Sequence, residues 1–103
     1  MEPIKDQDIL DLFGQEKTKE QGFNLLVKKY KQEIYYSIRH LVFSHEDAND
    51  ISQNVLIKIW KHLDQFRGDA GLKTWIKKIC VNESLTFLEC KKKMLNINWS
   101  KSL

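Results

Sequence analysis

A chain of 103 residues with one proline and four glycines can bury one hydrophobic core and is too short for two independent ones. Its long stretches of Leu, Ile, Lys, Glu and Gln, with no period-two alternation over a strand's length, exclude a sheet and predict an all-α fold, a compact bundle of about four helices. The formal net charge of +3 conceals an asymmetry, because residues 1–66 carry nine Lys or Arg against eleven Asp or Glu, and residues 67–103 carry eight against three.

The first predicted helix covers residues 6–13, with Ile9, Leu10 and Phe13 inward and acids outward, and Gly14 ends it. A polar connector closed by Gly22 follows. The second helix, residues 23–42, carries the strongest periodic signal: Phe23, Leu26, Val27, Tyr30, Ile34, Ile38 and Leu41 recur at spacings of three and four. Leu25, Tyr36 and Phe43 lie off that stripe, on a flank covered by another element or by a partner. Ser44, three residues before Asp47, reads as an N-cap, and Phe43 holds the position that staples against the next helix.

The third helix, residues 46–63, gathers Ala48, Ile51, Val55, Ile59 and Leu63 on one side, with Leu56 at its margin. Its opposite side carries Asp50, Gln53, Ile57 and Lys61, with Trp60 beside them. An outward Ile and Trp among polar groups suit a partner-binding face, and the plainer reading is a solvated surface. The loop DQFRGDAG comes next, with Gly68 able to take a positive φ and Asp69 able to cap a fourth helix.

That fourth helix, residues 70–93, is apolar on two sides: Leu72, Trp75, Ile76, Ile79 and Phe87 on one, Val81, Leu85 and Leu88 on the other. Such a helix is expected to be clasped between neighbours. A polar stripe of Lys78, Asn82, Thr86, Glu89 and Lys93 runs between those sides. The domain is therefore placed at residues 1–93. Residues 94–103 read as a partly ordered tail or the start of a linker, in which Trp99 is the residue able to dock.

The basic C-terminal third predicts an anionic partner. Nucleic acid fits better than a membrane surface, since the fourth helix lacks a single apolar face. No apolar run approaches the roughly 20 residues that span a bilayer, and the N-terminus has no signal-peptide pattern. A cytoplasmic protein without membrane insertion is expected. Cys80 and Cys90 stand about 15 Å apart along one helix, beyond disulfide reach, and both read as small buried hydrophobes. His40, His45 and His62 are scattered, so neither a metal nor a cofactor is expected. No phosphate loop, catalytic triad or zinc-protease motif is present, so no catalytic residues are assigned.

The loop and fourth helix hold the ingredients of a single-stranded nucleic-acid site. Phe66 offers a stacking face, Arg67, Lys73, Lys77 and Lys78 offer cations for phosphates, and Asn82 and Thr86 offer groups that read base edges. Each has a plainer reading: Phe66 plugs the bundle's end, Arg67 pairs with Asp64 or Asp69, and Lys77 and Lys78 form a solvated face.

The run Ala48, Asp50, Ile51, Gln53, Val55, Ile59, Trp60, then Phe66, Arg67, Gly68, Asp69, then Thr74, Trp75, Ile79 and Asn82 closely resembles region 2 of sigma-70-type transcription initiation factors. The spacing is similar to that of the extracytoplasmic-function (ECF) class over about residues 20–93. It departs at Asn49, where an acid is common, at Asn54, where Glu is common, and at Leu56, where Phe is common. The resemblance implies a DNA-binding transcription-regulation domain with two sites. Asp50, Gln53, Asn54, Ile57, Lys58 and Lys61 would bind the clamp helices of the RNA polymerase β′ subunit. Phe66, Arg67, Gly68, Asp69 and Asn82, with Thr86 near them, would engage the non-template strand of the promoter −10 element, with a base flipped into a pocket. An anti-sigma factor is a further candidate partner, and the resemblance over these 103 residues does not extend to the family's −35-binding domain.

The leading expectation is thus a non-enzymatic promoter-recognition domain for transcription initiation. The alternative is a protein-interaction module that acts by sequestration of polymerase or an anti-sigma factor, without DNA recognition.

Overall fold

The computed structural model describes residues 3–68 and 70–102, with side chains described up to residue 93. Among the described residues four α-helices make the fold: α1 (Asp6–Phe13), α2 (Lys19–Arg39), α3 (His45–His62) and α4 (Leu72–Ser102). Single 3-10 turns at Glu16–Thr18 and Leu63–Gln65 join α1 to α2 and extend α3. No helix among the described residues is long and apolar enough to cross a membrane.

Asp6 and Asp8 place negative charge in the first turn of α1, where the helix dipole favours it. Ile9 and Phe13 face inward. The Asp6 carboxylate accepts hydrogen bonds from Lys29 Nζ and Tyr30 Oη of α2, each at 2.6 Å. Partial burial pushes the Asp6 carboxyl up, but the two hydrogen bonds and the Lys29 charge outweigh it and hold the group below its usual value. Tyr30 moves the other way, raised first by burial and then by its bond to Asp6. A depressed folded-state carboxyl stabilises above its unfolded value and loses that stabilisation as the pH falls through the folded one. Asp6→Asn is therefore expected to lower stability by about 1 kcal/mol at pH 7, the scale for a partly exposed pair. The difference between urea unfolding curves of the two proteins should begin to shrink as the pH falls below about 4 and vanish below the lowered folded-state value.

Gly14 takes its expected place and Gly22 does not. Gly14 ends α1 at φ −70° and ψ −10°, in ordinary right-handed backbone, with its N–H bonded to the Leu10 carbonyl. Gly22 does not close a connector. It lies buried inside α2, which begins at Lys19, and a Cβ there would stand 2.7 Å from Phe13 N and 2.9 Å from the Ile9 carbonyl oxygen. The helices cross at backbone contact because residue 22 has no side chain.

The core is the inward stripe of each helix: Leu26, Tyr30, Ile34 and Ile38 of α2, Ala48, Ile51, Val55 and Ile59 of α3, and Leu72, Ile76 and Cys80 of α4. Leu63, just past α3, is buried as well. Ser44 caps α3, its hydroxyl accepting from Asp47 N–H at 3.3 Å. Phe43 does not staple that corner, since its side chain is 96% exposed, while the preceding Val42 takes the buried place. Leu41, counted in the α2 stripe, lies past the helix end and is exposed.

Among its described side chains, α4 is buried along one line. Leu72, Ile76, Cys80 and Ser84 face the bundle and Ile79, Phe87 and Leu88 pack at its edge, whereas Val81 and Leu85 are exposed. The clasp expected on both sides of α4 is absent because α2 and α3 both lie against the same side. Cys80 is buried, which pushes its thiol up to about 11; Cys90 is exposed, contrary to expectation. The helix also passes residue 93 and continues to Ser102, across a run without Gly or Pro to break it. The expected docking of Trp99 and the capping by Asp69 lie outside the described residues.

Candidate nucleic-acid and protein interfaces

The outer face of α3 forms as its periodicity predicts. Asp50, Gln53, Asn54, Ile57, Lys58 and Lys61 are all exposed, with Ile57 at 51%. Trp60 stands beside them but is tied inward, meeting Phe13 and Phe23 edge-on at centroid distances of 5.6 and 5.2 Å. Lys19 Nζ lies 4.6 Å over the Trp60 ring, a cation–π contact at the α1–α2 corner. Lys58 turns toward α4 and pairs with Glu83, so it differs from its neighbours in having an internal partner.

Beyond α3 the chain makes a sharp exit. Phe66 N–H closes the 3-10 turn on the Leu63 carbonyl at 3.1 Å. Gly68 takes φ +80° with open space where a Cβ would be, so its backbone conformation, rather than crowding, calls for glycine. α4 then starts with Trp75 N–H bonded to the Gly71 carbonyl.

Phe66 combines core packing with an open face. It packs against the core with its ring 5.6 Å from that of Trp75, tilted by 59°. It also lines a pocket of about 370 Å³ together with Gln65, Arg67, Gly68, Ala70, Thr74, Trp75 and Lys78. That volume falls within the usual range for small ligands. Its walls are two aromatic rings and its rim carries two cations, which suits an unstacked base with its phosphates outside.

The structure divides the expected nucleic-acid residues into two sets. Phe66, Arg67, Gly68 and Lys78 converge on the pocket. Asn82 and Thr86 continue from Lys78 along the exposed side of α4, and Thr86 Oγ1 donates to the Asn82 carbonyl at 2.9 Å. Lys73 and Lys77 turn to the other flank, beside Glu33, Ser37 and His40 of α2, where Lys73 pairs with Glu33 at 3.2 Å. Asp69 lies outside the described residues.

Sequence reasoning missed Trp75 and Thr74 as pocket wall. Trp75 packs against the core, as its neighbours Leu72, Ile76 and Ile79 predict, but it is only half-buried and also lines the pocket. Its position one turn before Lys78 was the available signal. A groove of about 510 Å³ between α2 and α3 was also missed; Tyr35, Tyr36 and His45 line it, and the Tyr35 hydroxyl bonds to His45 Nδ1.

Comparison with known proteins agrees with this arrangement. The Sigma-70 region 2 family model matches residues 26–94. The RNA polymerase sigma-H factor of Pseudomonas aeruginosa is 36% identical over 67 residues, which are 65% of this chain and 35% of that protein. The ECF RNA polymerase sigma-E factor of Escherichia coli K12 is 33% identical over 87 residues, 84% of this chain and 44% of that protein. The chain thus spans less than half the length of these curated relatives. An engineered region 2 of sigmaE, solved by NMR in complex with GTAAAA, superposes with a TM-score of 0.80 at 28% identity, over 92% of this chain and 97% of that one. With its matched region covering most of the bundle and its helices laid out alike, the chain belongs to the sigma-70 region 2 family, as a domain of the ECF type.

Proposed function

We propose that this domain captures the single-stranded, non-template −10 element of a promoter during transcription initiation while the outer face of α3 docks to the RNA polymerase core. The observation that carries this reading is the aromatic-walled pocket of Phe66 and Trp75, opening beside the exposed polar stripe of Lys78, Asn82 and Thr86. A similarly folded domain takes GTAAAA. Arg67 and Lys78 stand where phosphates would pass, Phe66 offers a ring face, and Asn82 and Thr86 offer donors and acceptors to base edges. Lys77 adds a more distant cation. Lys73 is engaged with Glu33 and contributes less than its charge suggests.

Pulling a base out of its stack costs a few kcal/mol. Stacking on an aromatic side chain returns about 1–3 kcal/mol, and phosphate contacts supply the rest. The domain acts by binding, with no catalytic step.

On α3, Asp50, Gln53, Asn54, Ile57, Lys58 and Lys61 form the polymerase-docking surface, with the β′ clamp helices as the partner that the family resemblance implies. Ile57 is the apolar centre of a charged rim, the usual anatomy of a protein interface. Lys58 would have to be shared with, or released from, Glu83 on docking.

Anisotropy with labelled single-stranded GTAAAA and a scrambled hexamer at low salt tests the strand reading. Asn82→Ala is expected to reduce the preference for GTAAAA more than it reduces affinity for the scrambled strand. Lys77→Ala should weaken both equally and reduce the salt slope by about 1. Equal losses on both strands for Asn82→Ala would count against base reading, and no binding at low salt would favour the sequestration alternative.

A further inference from the structure

Strand capture along α4 leaves two neighbouring residues without a role. Val81 and Leu85 are 42% and 49% exposed, one turn apart, about 100° round α4 from its buried line of Leu72, Ile76, Cys80 and Ser84. They add nothing to the core, and they interrupt an otherwise polar face with a short aliphatic ridge.

The ridge lies between cations. On one flank Lys77 faces α2, beside Ser37 and His40. On the other, Lys78 rims the Phe66 pocket. A single strand of nucleic acid matches both features, because its phosphates take the lysines while its bases, unstacked, bring apolar edges to the aliphatic side chains. Thymine is the base with an apolar substituent on its edge, the C5-methyl group, and aliphatic or other apolar side chains are its usual contacts. The helix rise of about 1.5 Å per residue puts Val81 about 4.5 Å and Leu85 about 10 Å beyond Lys78 along the axis. A strand that leaves the pocket along α4 would bring its next base to that stretch.

We infer that Val81 and Leu85 form a methyl-reading ridge, which selects thymine beside the base held at Phe66 and Trp75. The inference rests on the strand-capture reading and adds a specificity determinant that acts by apolar contact rather than by hydrogen bonding.

The test uses the full chain at low salt with single-stranded GTAAAA and the same hexamer carrying deoxyuridine in place of dT2, which removes the methyl group and nothing else. Loss of one buried methyl is expected to weaken binding about threefold. The Val81→Ser/Leu85→Ser variant is expected to bind the two hexamers equally. Both positions are exposed, so the variant should retain the helical circular dichroism of the parent.

Equal binding of the two hexamers by the parent overturns the inference while leaving strand capture intact. Undiminished methyl discrimination in the double variant also overturns it, because the methyl is then read elsewhere. Loss of polymerase core binding in the variant, without any methyl effect, makes the ridge a protein contact and overturns it as well. Failure of the parent to bind either hexamer removes strand capture and the ridge together.

Discussion

Gly22→Ala is expected to lower the unfolding free energy by about 1–2 kcal/mol, and Gly22→Leu by about 3 kcal/mol or more. On local propensity alone the first change should help, since Ala is better than Gly inside a helix by about 1 kcal/mol. The tertiary contact reverses the sign. A Cβ at residue 22 would stand 2.7 Å from Phe13 N, 2.9 Å from the Ile9 carbonyl oxygen and 3.0 Å from Leu12 Cβ. The first two are backbone atoms of α1, so no side-chain rotation relieves them and the whole of α1 has to retreat from α2.

That retreat would reach the side of the molecule proposed to dock to polymerase. Phe13, at the end of α1, meets the Trp60 ring edge-on, and Lys19 at the start of α2 lies over the same ring. Gly14→Ala is the control, because its φ is −70° and its nearest contact would be 3.3 Å to the Leu10 carbonyl oxygen. It is expected to stay within about 0.5 kcal/mol of the parent. Urea unfolding followed by circular dichroism separates the outcomes, and a Gly22→Ala protein about 1 kcal/mol more stable than the parent would show that α1 yields without cost.

How legible each element was in the sequence follows from how local its determinants are. In α3 every core residue falls at helical spacing and the Ser44 cap bonds three residues ahead, so its inner face, outer face and start were all readable. Gly22 was misread because glycine in a polar stretch suggests a turn, and nothing within a few residues reveals that another helix's backbone lies against it. For α4 the two apolar sides were visible, but which one meets the bundle depends on where α2 and α3 lie. The lateral split of Lys73 and Lys77 from Lys78 has the same origin. Adjacent lysines on a helix point about 100° apart, and only the position of α2 decides that one of them faces Glu33 and the other the pocket. Phe43 shows the converse, a local staple pattern that failed because Val42 filled the site.

Phe66→Leu is expected to weaken binding of single-stranded GTAAAA about tenfold while costing less than about 1.5 kcal/mol of stability. The pair of effects separates the packing role of this side chain from its proposed stacking role. As a plug, Phe66 packs on Trp75 and the bundle's end, and leucine restores most of that apolar volume. As a pocket wall, it presents a ring face to the space bounded by Arg67, Gly68 and Lys78, and leucine has no such face for a base to stack upon. Phe66→Ala would remove both and could not tell them apart, since a loosened pocket also binds poorly. Phe66→Tyr supplies the complementary case: the ring is kept, the added hydroxyl can turn to solvent at the pocket mouth, and binding should stay within about twofold of the parent. If leucine binds as well as the parent, Phe66 is only a plug and the stacking surface falls to Trp75. If tyrosine and leucine both bind about tenfold more weakly, the pocket is sensitive to shape at this wall rather than to a ring face.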